Sequence, residues 1–263
     1  KGKSKFVGHE ILGKTLGVVG LGAIGVLVAN TAANLGMNVL GYDPYLSVQA
    51  ALHLDNRVKT ADLDTVLRQS DFITVHVPLT PSTDKMFNAD AFAKMKEGSV
   101  LINNSRGELT DEDAVIAAVE SGKLERYITD FPSDKLIGVK NIICVPHLGA
   151  STPEAEDNCA AMAAQELVDY IENGNITHSV NFPDVSAPRS CVSRLAIMHG
   201  NVEGAISAIT SIISGNNINI ANIIDKSKGE KAYMLLDLDT KPSDKIIDEI
   251  KKLDSVIRVR IFD

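Results

Sequence analysis

A glycine-rich loop near the start of the chain constrains the fold more than any other feature. The stretch TLGVVGLGAIG, residues 15–25, runs from a short apolar segment into the pattern G-x-G-x-x-G, which joins a strand to a helix in dinucleotide-binding folds. The glycines permit a tight turn, a close approach to a pyrophosphate, and close packing of helix on strand. Because the positive end of a helix dipole attracts anions, we expect phosphates to bind here. The candidate residues are Gly20, Gly22, Ala23, Ile24 and Gly25.

An acidic residue after the next apolar segment indicates which dinucleotide is bound. Asp43 follows NVLGY and comes 23 positions after Gly20. A carboxylate at this place accepts hydrogen bonds from ribose hydroxyls and disfavours a 2′-phosphate. The next arginine along the chain is Arg57, and the sequence therefore favours NAD over NADP as the cofactor.

The first half of the chain alternates short apolar segments with helical patterns, such as those over residues 24–35 and 111–120. Six segments are apolar without alternation: TLGVVG, NVLGYD, FITVHV, SVLINN, YITD and NIICV. Such runs are typical of parallel strands that helices cover on both faces. The sequence thus predicts an α/β fold with a doubly wound parallel sheet, the Rossmann arrangement. A long helix follows, with Ser151 or Thr152 as its N-cap and Gly174 at its end.

The end of the chain has a different pattern. The stretch NITHSVNFPDVSAPRS has scattered Pro, Ser and Asn, which predicts a linker over residues 176–192. The order βαββαβ over residues 193–263 predicts a small ferredoxin-like α+β domain. Within it we expect a helix over 202–214, alternation in the segment AYMLLDLD, and a polar face on the last strand. Residues 1–175 would then form the dinucleotide-binding domain.

Composition and charge exclude several classes of function. The chain has 263 residues, 44% of them apolar, and a formal net charge of −8, which argues against nucleic acid or an anionic membrane as the main partner. No run approaches the ~18 apolar residues of a membrane span. The residues KGKSKFVGHE contain no hydrophobic signal core, and the three cysteines have no metal-like spacing. We expect a cytoplasmic protein without a metal site.

Several motifs together resemble one enzyme family. They are FVGHEILGKTLGVVGLGAIG, YDP, DFITVHVPLTPST, LINNSRGELTDEDA and VPHLGAST. In these the chain resembles the D-isomer-specific 2-hydroxyacid dehydrogenases over nearly its whole length, and its tail is similar to an ACT regulatory domain. In that family a substrate-binding region precedes the dinucleotide domain. Because KFVGHEILGKT is similar to the return from that region, the resemblance implies that the N-terminal part of the substrate domain is missing.

Two residues are the main candidates for chemistry. Arg106 lies just past the segment SVLINN, at the end of a strand where open α/β sheets bind ligands, and its guanidinium matches a carboxylate. His147 follows the segment NIICV, and the ordinary pKa of histidine suits reversible proton transfer. The resemblance implies that Arg106 binds the substrate and that His147 is the catalytic base.

The carboxylate expected to orient His147 is ambiguous, because the loop before it is shorter than in the family. The family's pattern is Asp-Val-Phe, then Glu before Pro, whereas this chain has YITDFPSDKLIGVKNIICVPH. The resemblance places Asp130 at the nicotinamide carboxamide and either Asp134 or Lys135 at the position of the glutamate. We choose Asp134, since a lysine there would lower the pKa of the histidine.

The resemblance also implies further cofactor and effector contacts. The additional cofactor residues are His76, Val77, Pro78, Asn104, Ser105 and Gly149. His76 is expected to act through the backbone around it rather than through its imidazole. In the tail, His199, Asn201 and Asn219 are expected to bind L-serine across paired ACT domains, although Glu203 stands where the family often has proline. The partners would thus be a small-molecule substrate, serine and further copies in a homodimer or homotetramer.

Within the family, the likeness is greatest to the members that begin serine biosynthesis. It implies NAD-dependent oxidation of D-3-phosphoglycerate to 3-phosphohydroxypyruvate, with feedback by serine. Another D-2-hydroxyacid dehydrogenase is the alternative within the same class. A non-catalytic NAD-sensing regulator on the same scaffold, like the C-terminal-binding corepressors, is the alternative from a different class.

Overall fold

The computed structural model describes residues 8–189 and 191–263. They form two compact units, the first ending at Leu148 and the second running from Gly149 to Asp263. The segment KFVGHEILGKT begins in residues 1–7, which lie outside the described part, and its expected return from a preceding region stays a prediction. The division of the chain at residues 175 and 192 also stays a prediction. Across the described ranges, no helix is long and apolar enough to cross a membrane.

The first unit contains a seven-stranded parallel sheet in the order β3-β2-β1-β4-β5-β6-β7. Its strands are β1 Thr15–Val19, β2 Asn38–Tyr42, β3 Val58–Thr60, β4 Phe72–Val75, β5 Ser99–Asn103, β6 Leu124–Thr129 and β7 Ile142–Cys144. The order reverses between β1 and β4, which is where doubly wound sheets bind ligands. The predicted Rossmann fold is confirmed, and β3 is the strand that the sequence pattern did not predict.

Five helices cover both faces of this sheet: α1 Ala23–Asn34, α2 Val48–His53, α3 Leu63–Gln69, α4 Ala89–Lys94 and α5 Glu112–Glu120. Their N-termini carry side-chain caps where the sequence offers them. Asp62, Asn88 and Asp111 each accept a backbone N–H from the first turn. Successive β1 residues are buried on opposite faces, since Val18 packs in one apolar cluster and Val19 in the other. This two-sided burial explains the continuous apolar run in the sequence.

The second unit begins with a long helix and continues with a four-stranded antiparallel sheet. Its elements are α6 Pro153–Asn173, β8 Ser193–Gly200, α7 Ala205–Gly215, β9 Ile220–Lys228, β10 Lys231–Leu238, α8 Asp244–Lys251 and β11 Val256–Phe262. The sheet order is β11-β8-β10-β9. This order with the sequence βαββαβ confirms the predicted ferredoxin-like arrangement.

The ends of helix α6 follow the signals in its sequence. The Thr152 hydroxyl accepts the N–H of Ala155 at 3.1 Å, and Pro153 occupies the first turn. Gly174 has φ of +72° and ends the helix in the left-handed conformation. Helix α7 differs from its prediction. It begins at Ala205 rather than 202, because Gly204 at its N-cap has φ of +78°.

The sequence pattern predicted that buried and exposed residues alternate along strand β10. In the structure the strand is instead buried on both faces. One face packs on α7 and α8. The other packs on α6 and on the segment predicted as a linker, through Tyr170, Ile176, Phe182 and Val185. Ile176 and Val185 exchange both of their backbone hydrogen bonds, at 2.8 and 2.9 Å. The segment after α6 therefore belongs to the packed core of the second unit.

A fully buried arginine joins these parts of the second unit. The Arg194 guanidinium donates to both carboxylate oxygens of Asp237, at 2.5 and 2.9 Å. It also donates to the carbonyls of Asn173, Ala187 and Pro188. Although burial alone would raise the pKa of Asp237, the hydrogen bonds from Arg194 and Cys191 outweigh it, and the net pKa is lowered. The end of α6, the following segment and the sheet are thus held by one side chain.

The last strand also departs from its predicted polar face. Arg260 lies over the rings of Tyr170 and Phe262, at 4.7 and 4.8 Å from their centroids. Its guanidinium donates to the carbonyls of Tyr170 and Ile171 near the end of α6, where a cation is favoured by the helix dipole. Arg260 is therefore a packing residue.

Candidate active site

The glycine loop between β1 and α1 has the shape that a pyrophosphate requires. A Cβ on Gly20, which has φ of +96°, would lie 2.4 Å from the carbonyl oxygen of His76, and one on Gly25 would lie 1.8 Å from that of Gly20. A Cβ on Gly22 would meet no atom of the described residues within 4 Å. The outer glycines are therefore needed for packing, whereas the middle one leaves the backbone open to a ligand. Ala23 and Ile24 begin the helix at this opening.

Asp43 closes the other side of this loop. Its Oδ2 accepts the N–H of Leu21 at 2.8 Å, and its Oδ1 accepts the N–H of Tyr45 at 2.8 Å. Each oxygen retains a lone pair that a ribose hydroxyl can use. Arg57 forms a bidentate pair with Asp55 and donates to helix α1. The Arg57 guanidinium is thus bound to these groups and not to Asp43. The site fits a dinucleotide without a 2′-phosphate.

His76 lies beside the loop and serves in packing. Its backbone N–H donates to the carbonyl of Val19 at 2.7 Å, and its ring Nε2 lies 3.0 Å from the Thr74 hydroxyl. Burial lowers the pKa of His76, so the imidazole is neutral near pH 7. The Val77 side chain lies close to Gly20, since a Cβ on that glycine would be 2.9 Å from a Val77 methyl carbon. The carbonyl of Pro78 accepts a hydrogen bond from Thr83 at 2.7 Å.

Arg106 follows β5 in a loop that is fixed by hydrogen bonds. The Asn103 amide donates to the Arg106 carbonyl at 2.8 Å, and the Ser105 hydroxyl donates to the Val75 carbonyl at 2.6 Å. Asn104, at the same strand end, is exposed. The Arg106 side chain is exposed and makes a hydrogen bond to the Ser105 carbonyl at 2.7 Å. Its remaining donors can therefore bind a carboxylate.

His147 follows β7 and pairs with a carboxylate that follows β6. Its Nδ1 lies 2.8 Å from Oδ2 of Asp130. The His147 side chain is 50% exposed, whereas that of Asp130 is 10% exposed. Since a carboxylate only accepts hydrogen bonds, Nδ1 carries the proton and Nε2 of the neutral ring has a free lone pair. Among the described residues Nε2 has no hydrogen-bond partner, so it can accept a proton from a ligand.

The structure corrects the expected partner of His147. Asp134 is exposed and forms no hydrogen bond or ion pair with His147, whose partner is Asp130. Lys135 pairs with Asp113 at 2.9 Å, which raises the pKa of that lysine. Asp130, which was expected at the cofactor's carboxamide, takes the place of the orienting carboxylate. The Thr129 hydroxyl accepts the N–H of Phe131 at 3.1 Å and turns the chain directly after β6. Asp130 is thereby directed toward the neighbouring strand end.

Phe131 is a site residue that the sequence reasoning missed. Its ring centroid lies 4.3 Å from that of His147, with an interplanar angle of 42°. The guanidinium carbon of Arg106 lies 5.4 Å from the same centroid. In the sequence, candidate residues stand out as groups that bind ligands or titrate, and an apolar ring carries no such signal. The order of strands β5, β6 and β7 places all of these side chains at one edge of the sheet.

A cavity of about 690 Å³ lies beside Asp130 and Phe131. It is lined by more carboxylates than cations, and its two lysines, Lys85 and Lys135, are paired with Asp111 and Asp113. This lining does not suit an anionic substrate. Groups of three or more potential metal ligands do not occur in residues 8–189 and 191–263.

The effector residues predicted for the tail do not come together in one copy of the second unit. His199 is buried, with Nδ1 at 2.9 Å from the Gly200 carbonyl and Nε2 at 2.8 Å from Asp225. Asn201 donates to the Gly229 carbonyl at 3.1 Å, whereas Asn219 donates to Asp239. In the register of β10, Gly200 is opposite Lys231, and Ile220 is opposite Leu238. Asn201 and Asn219 therefore lie at opposite ends of the sheet, roughly 20–25 Å apart along the strands.

Two family descriptions match the chain. Residues 1–149 match "D-isomer specific 2-hydroxyacid dehydrogenase, NAD binding domain". Residues 195–258 match "AHAS small subunit-like ACT domain". The first match covers the parallel sheet and ends at Gly149. The second match covers most of the antiparallel sheet.

Similar proteins include D-3-phosphoglycerate dehydrogenases from bacteria and yeast. The Haemophilus influenzae protein is 34% identical over 99% of this chain and 65% of its own length. The Escherichia coli K12 protein is 34% identical, with coverages of 96% and 64%. D-3-phosphoglycerate dehydrogenase 2 of Saccharomyces cerevisiae is 35% identical, with coverages of 93% and 56%. The chain thus spans 56% to 65% of the length of these relatives.

Solved structures with a similar fold include a glyoxylate reductase and a D-lactate dehydrogenase. A glyoxylate reductase from Paecilomyes thermophila has a TM-score of 0.60 and 31% identity, and the alignment covers 66% of this chain and 54% of the other. D-lactate dehydrogenase with NAD+ from Lactobacillus jensenii has a TM-score of 0.58 and 30% identity, with coverages of 70% and 58%.

Proposed function

The chain belongs to the D-isomer specific 2-hydroxyacid dehydrogenases, and on this premise we propose that it is the NAD-binding and regulatory part of a D-3-phosphoglycerate dehydrogenase. The reaction would be oxidation of D-3-phosphoglycerate to 3-phosphohydroxypyruvate, the first step of L-serine biosynthesis. The observation that carries this proposal is the similarity to enzymes of that name over both units. The glyoxylate reductase and the D-lactate dehydrogenase described above match 66% and 70% of the chain.

The cofactor of the first unit is NAD. The open backbone at Gly22 and the N-terminus of α1 would hold its pyrophosphate. The two oxygens of Asp43 would accept the ribose hydroxyls. When bound, the nicotinamide supplies the hydride acceptor of the reaction.

The site residues supply proton transfer and orientation. Arg106 would bind the substrate carboxylate through its free donors and fix the neighbouring carbinol carbon. Nε2 of His147 would take the hydroxyl proton while the hydride leaves the same carbon, so that a carbonyl forms. Asp130 would hold the imidazole in the required tautomer and stabilise the imidazolium through Nδ1. Reduction would run the same steps in reverse.

This assembly also weighs against a non-catalytic regulator on the same scaffold. Such a protein needs the glycine loop and Asp43 for NAD, but it has no need of a paired imidazole with a free nitrogen beside an exposed guanidinium. Arg106, Asp130 and His147 meet these catalytic requirements together.

The test is an assay of the complete gene product with NAD and 3-phosphoglycerate, followed by NADH absorbance. D-lactate and D-glycerate serve as competing substrates, and the proposal requires the highest kcat/KM for 3-phosphoglycerate. A higher value for D-lactate would assign the chain to another member of the family. No turnover with any of the three, despite NAD binding, would favour the regulator.

For the second unit we propose feedback by L-serine and assembly into a homodimer or homotetramer. The match to an ACT domain supports regulation. Strand β9 is an edge strand with exposed residues, and such edges pair with a second copy. Both ring nitrogens of His199 make internal hydrogen bonds, and the side-chain N–H groups of Asn201 and Asn219 donate internally as well. The amide oxygens of the two asparagines would therefore make the first contacts with the ligand. Serine titration by calorimetry, with Asn201→Ala and with D-serine as controls, tests the effector; light scattering tests the assembly.

We also propose that the protein works in the cytoplasm. Cys144, Cys159 and Cys191 are free thiols in the described structure, which suits a reducing compartment. Fractionation of cells with an antibody against the chain would test this location.

A further inference from the structure

One aromatic ring lies between the two groups that would act on the substrate. The Phe131 ring contacts the imidazole of His147 at 4.3 Å between centroids, and the guanidinium carbon of Arg106 lies 5.4 Å from the Phe131 centroid. Arg106 and His147 are otherwise exposed. Within the described structure, the Arg106 side chain makes one hydrogen bond, to the carbonyl of the preceding residue. The ring is therefore the structural element that the two functional groups share.

The backbone holds Phe131 from two sides. Its N–H donates to the Thr129 hydroxyl at 3.1 Å, directly after β6. A Cβ on Gly107, the residue after Arg106, would lie 3.3 Å from the Phe131 carbonyl oxygen and 3.6 Å from its Cβ. The loop that carries Arg106 thus packs against the backbone of Phe131. The residue before Phe131 is Asp130, which binds His147 from another edge of the imidazole.

We propose that Phe131 is a positioning residue that sets the separation between Arg106 and His147. The inference rests on the proposed function. In a 2-hydroxy acid the carboxylate and the carbinol are on adjacent carbons, so the groups that bind them must be held at one fixed separation. A flat ring with the cation on it and the imidazole against it provides that spacing, since cations favour aromatic faces and rings pack in tilted pairs. An exposed arginine without the ring would spend much of its time in other rotamers.

The decisive variant is Phe131→Leu, which keeps apolar volume and removes the ring. In the complete gene product we expect kcat/KM for the hydroxy acid to fall about tenfold or more, through both kcat and KM, while the KM for NAD changes by less than about twofold. Phe131→Tyr keeps the ring and should restore kcat/KM to within about threefold of wild type. A kcat/KM unchanged in Phe131→Leu, or no recovery in Phe131→Tyr, would overturn the proposal.

A matched control is available in the second unit. Phe182 is also partly buried, carries the ammonium of Lys231 at 5.6 Å from its ring and packs edge-on against Tyr233. Phe182→Leu removes a ring with similar neighbours, and we expect the kinetics of the hydroxy acid to stay unchanged. An equal loss in both variants would indicate general destabilisation and contradict a positioning role.

NMR separates this proposal from the proposed function, because it needs no turnover. The ring current of Phe131 acts on His147, so Phe131→Leu should shift the imidazole C–H signals of His147 in this chain, and Phe131→Tyr should retain their positions. A wild-type enzyme that oxidises none of the substrates would contradict the proposed function alone. His147 signals that do not respond to Phe131→Leu would overturn the positioning proposal whatever the substrate.

Discussion

Asp130 Oδ2 lies 2.8 Å from Nδ1 of His147, although the two residues are 17 positions apart in the chain. They meet because β6 and β7 are neighbouring parallel strands whose carboxyl ends share one edge of the sheet. The carboxylate fixes which nitrogen of the ring carries a proton, and the other nitrogen has no hydrogen-bond partner among the described residues. His147 is thus paired with Asp130, whereas Asp134 is exposed at the surface.

Asp130→Asn should lower kcat by about a hundredfold or more, because an amide donates as well as accepts and no longer enforces the required tautomer. The matched control is Asp134→Asn, for which we expect a change below about twofold. Steady-state kinetics of both variants in the complete gene product checks this. A larger loss in Asp134→Asn than in Asp130→Asn would restore the pairing that the sequence suggested.

Arg106→Lys should lower kcat/KM for the hydroxy acid by at least one decade, about 1.4 kcal/mol. The substitution keeps the positive charge but loses the fork that binds a carboxylate through two hydrogen bonds. Arg126→Lys, at an exposed arginine on β6, is the control and should have no effect. Equal kinetics for Arg106→Lys and wild type would remove Arg106 from the substrate site.

Asp43→Ala should weaken NAD binding by about tenfold and narrow the preference for NAD over NADP. The carboxylate accepts the N–H of Leu21 in the glycine loop and, in the proposed site, would also accept the ribose hydroxyls, so both the loop and the ligand would lose a partner. Calorimetry with the two dinucleotides measures this, with Asp157→Ala on exposed α6 as the control. Unchanged affinity for NAD would show that Asp43 does not contact the ribose.

Arg194→Met should destabilise the second unit by about 3–5 kcal/mol, because the buried Asp237 carboxylate loses its partner. Adding Asp237→Leu should recover much of this loss, since the pair is then replaced by apolar groups. Hydrogen exchange of the β8 and β10 amides resolves the effect within the chain. If the double variant is no more stable than Arg194→Met, then Arg194 stabilises the second unit by more than neutralising the charge of Asp237.

His178→Asn should change how the stability of the second unit depends on pH. Nδ1 of His178 donates a hydrogen bond of 2.6 Å to a carboxylate oxygen of Glu166, and this bond raises the pKa of His178 above its ordinary value. A raised folded-state pKa stabilises the fold below the ordinary value of about 6.5, and this stabilisation is lost as pH rises through the raised value. The variant should therefore lower Tm more near about pH 5.5 than near about pH 9. Asparagine tolerates the φ of +54° at this position.

Much of the fold of the first unit could be predicted because its signals lie within short stretches of the sequence. Strands buried on both faces give continuous apolar runs, and the glycine loop must have small residues at fixed spacing. Strand β3 has three residues and helix α2 has six, which is too short for a periodic signal. The partner of His147 was predicted wrongly because it was sought by alignment across a shortened loop, whereas the order of strands decides it.

The features of the second unit that the sequence pattern did not predict have a different origin. The segment after α6 has the composition of a linker, yet Ile176 and Val185 are buried against the sheet. The apolar side chains that pack, Ile176, Phe182 and Val185, are scattered among polar residues and prolines without a period. Their burial depends on a sheet face that is far away in sequence. Arg194 gave no signal for the same reason, because a buried arginine is identified by its partners rather than by its neighbours in the chain.

The register of β10 determines how many effector molecules a pair of copies can bind and how two variants behave when they are mixed. An effector that contacts Asn201 and Asn219 together must take one amide from each of two copies, because within one copy they lie at opposite ends of the sheet. A two-fold pair then has two equivalent sites. Mixing Asn201→Ala copies with Asn219→Ala copies yields hybrid pairs in which one site keeps both amides and the other has neither. Two alleles that are each insensitive to the effector should therefore complement one another, and each hybrid pair should bind a single molecule.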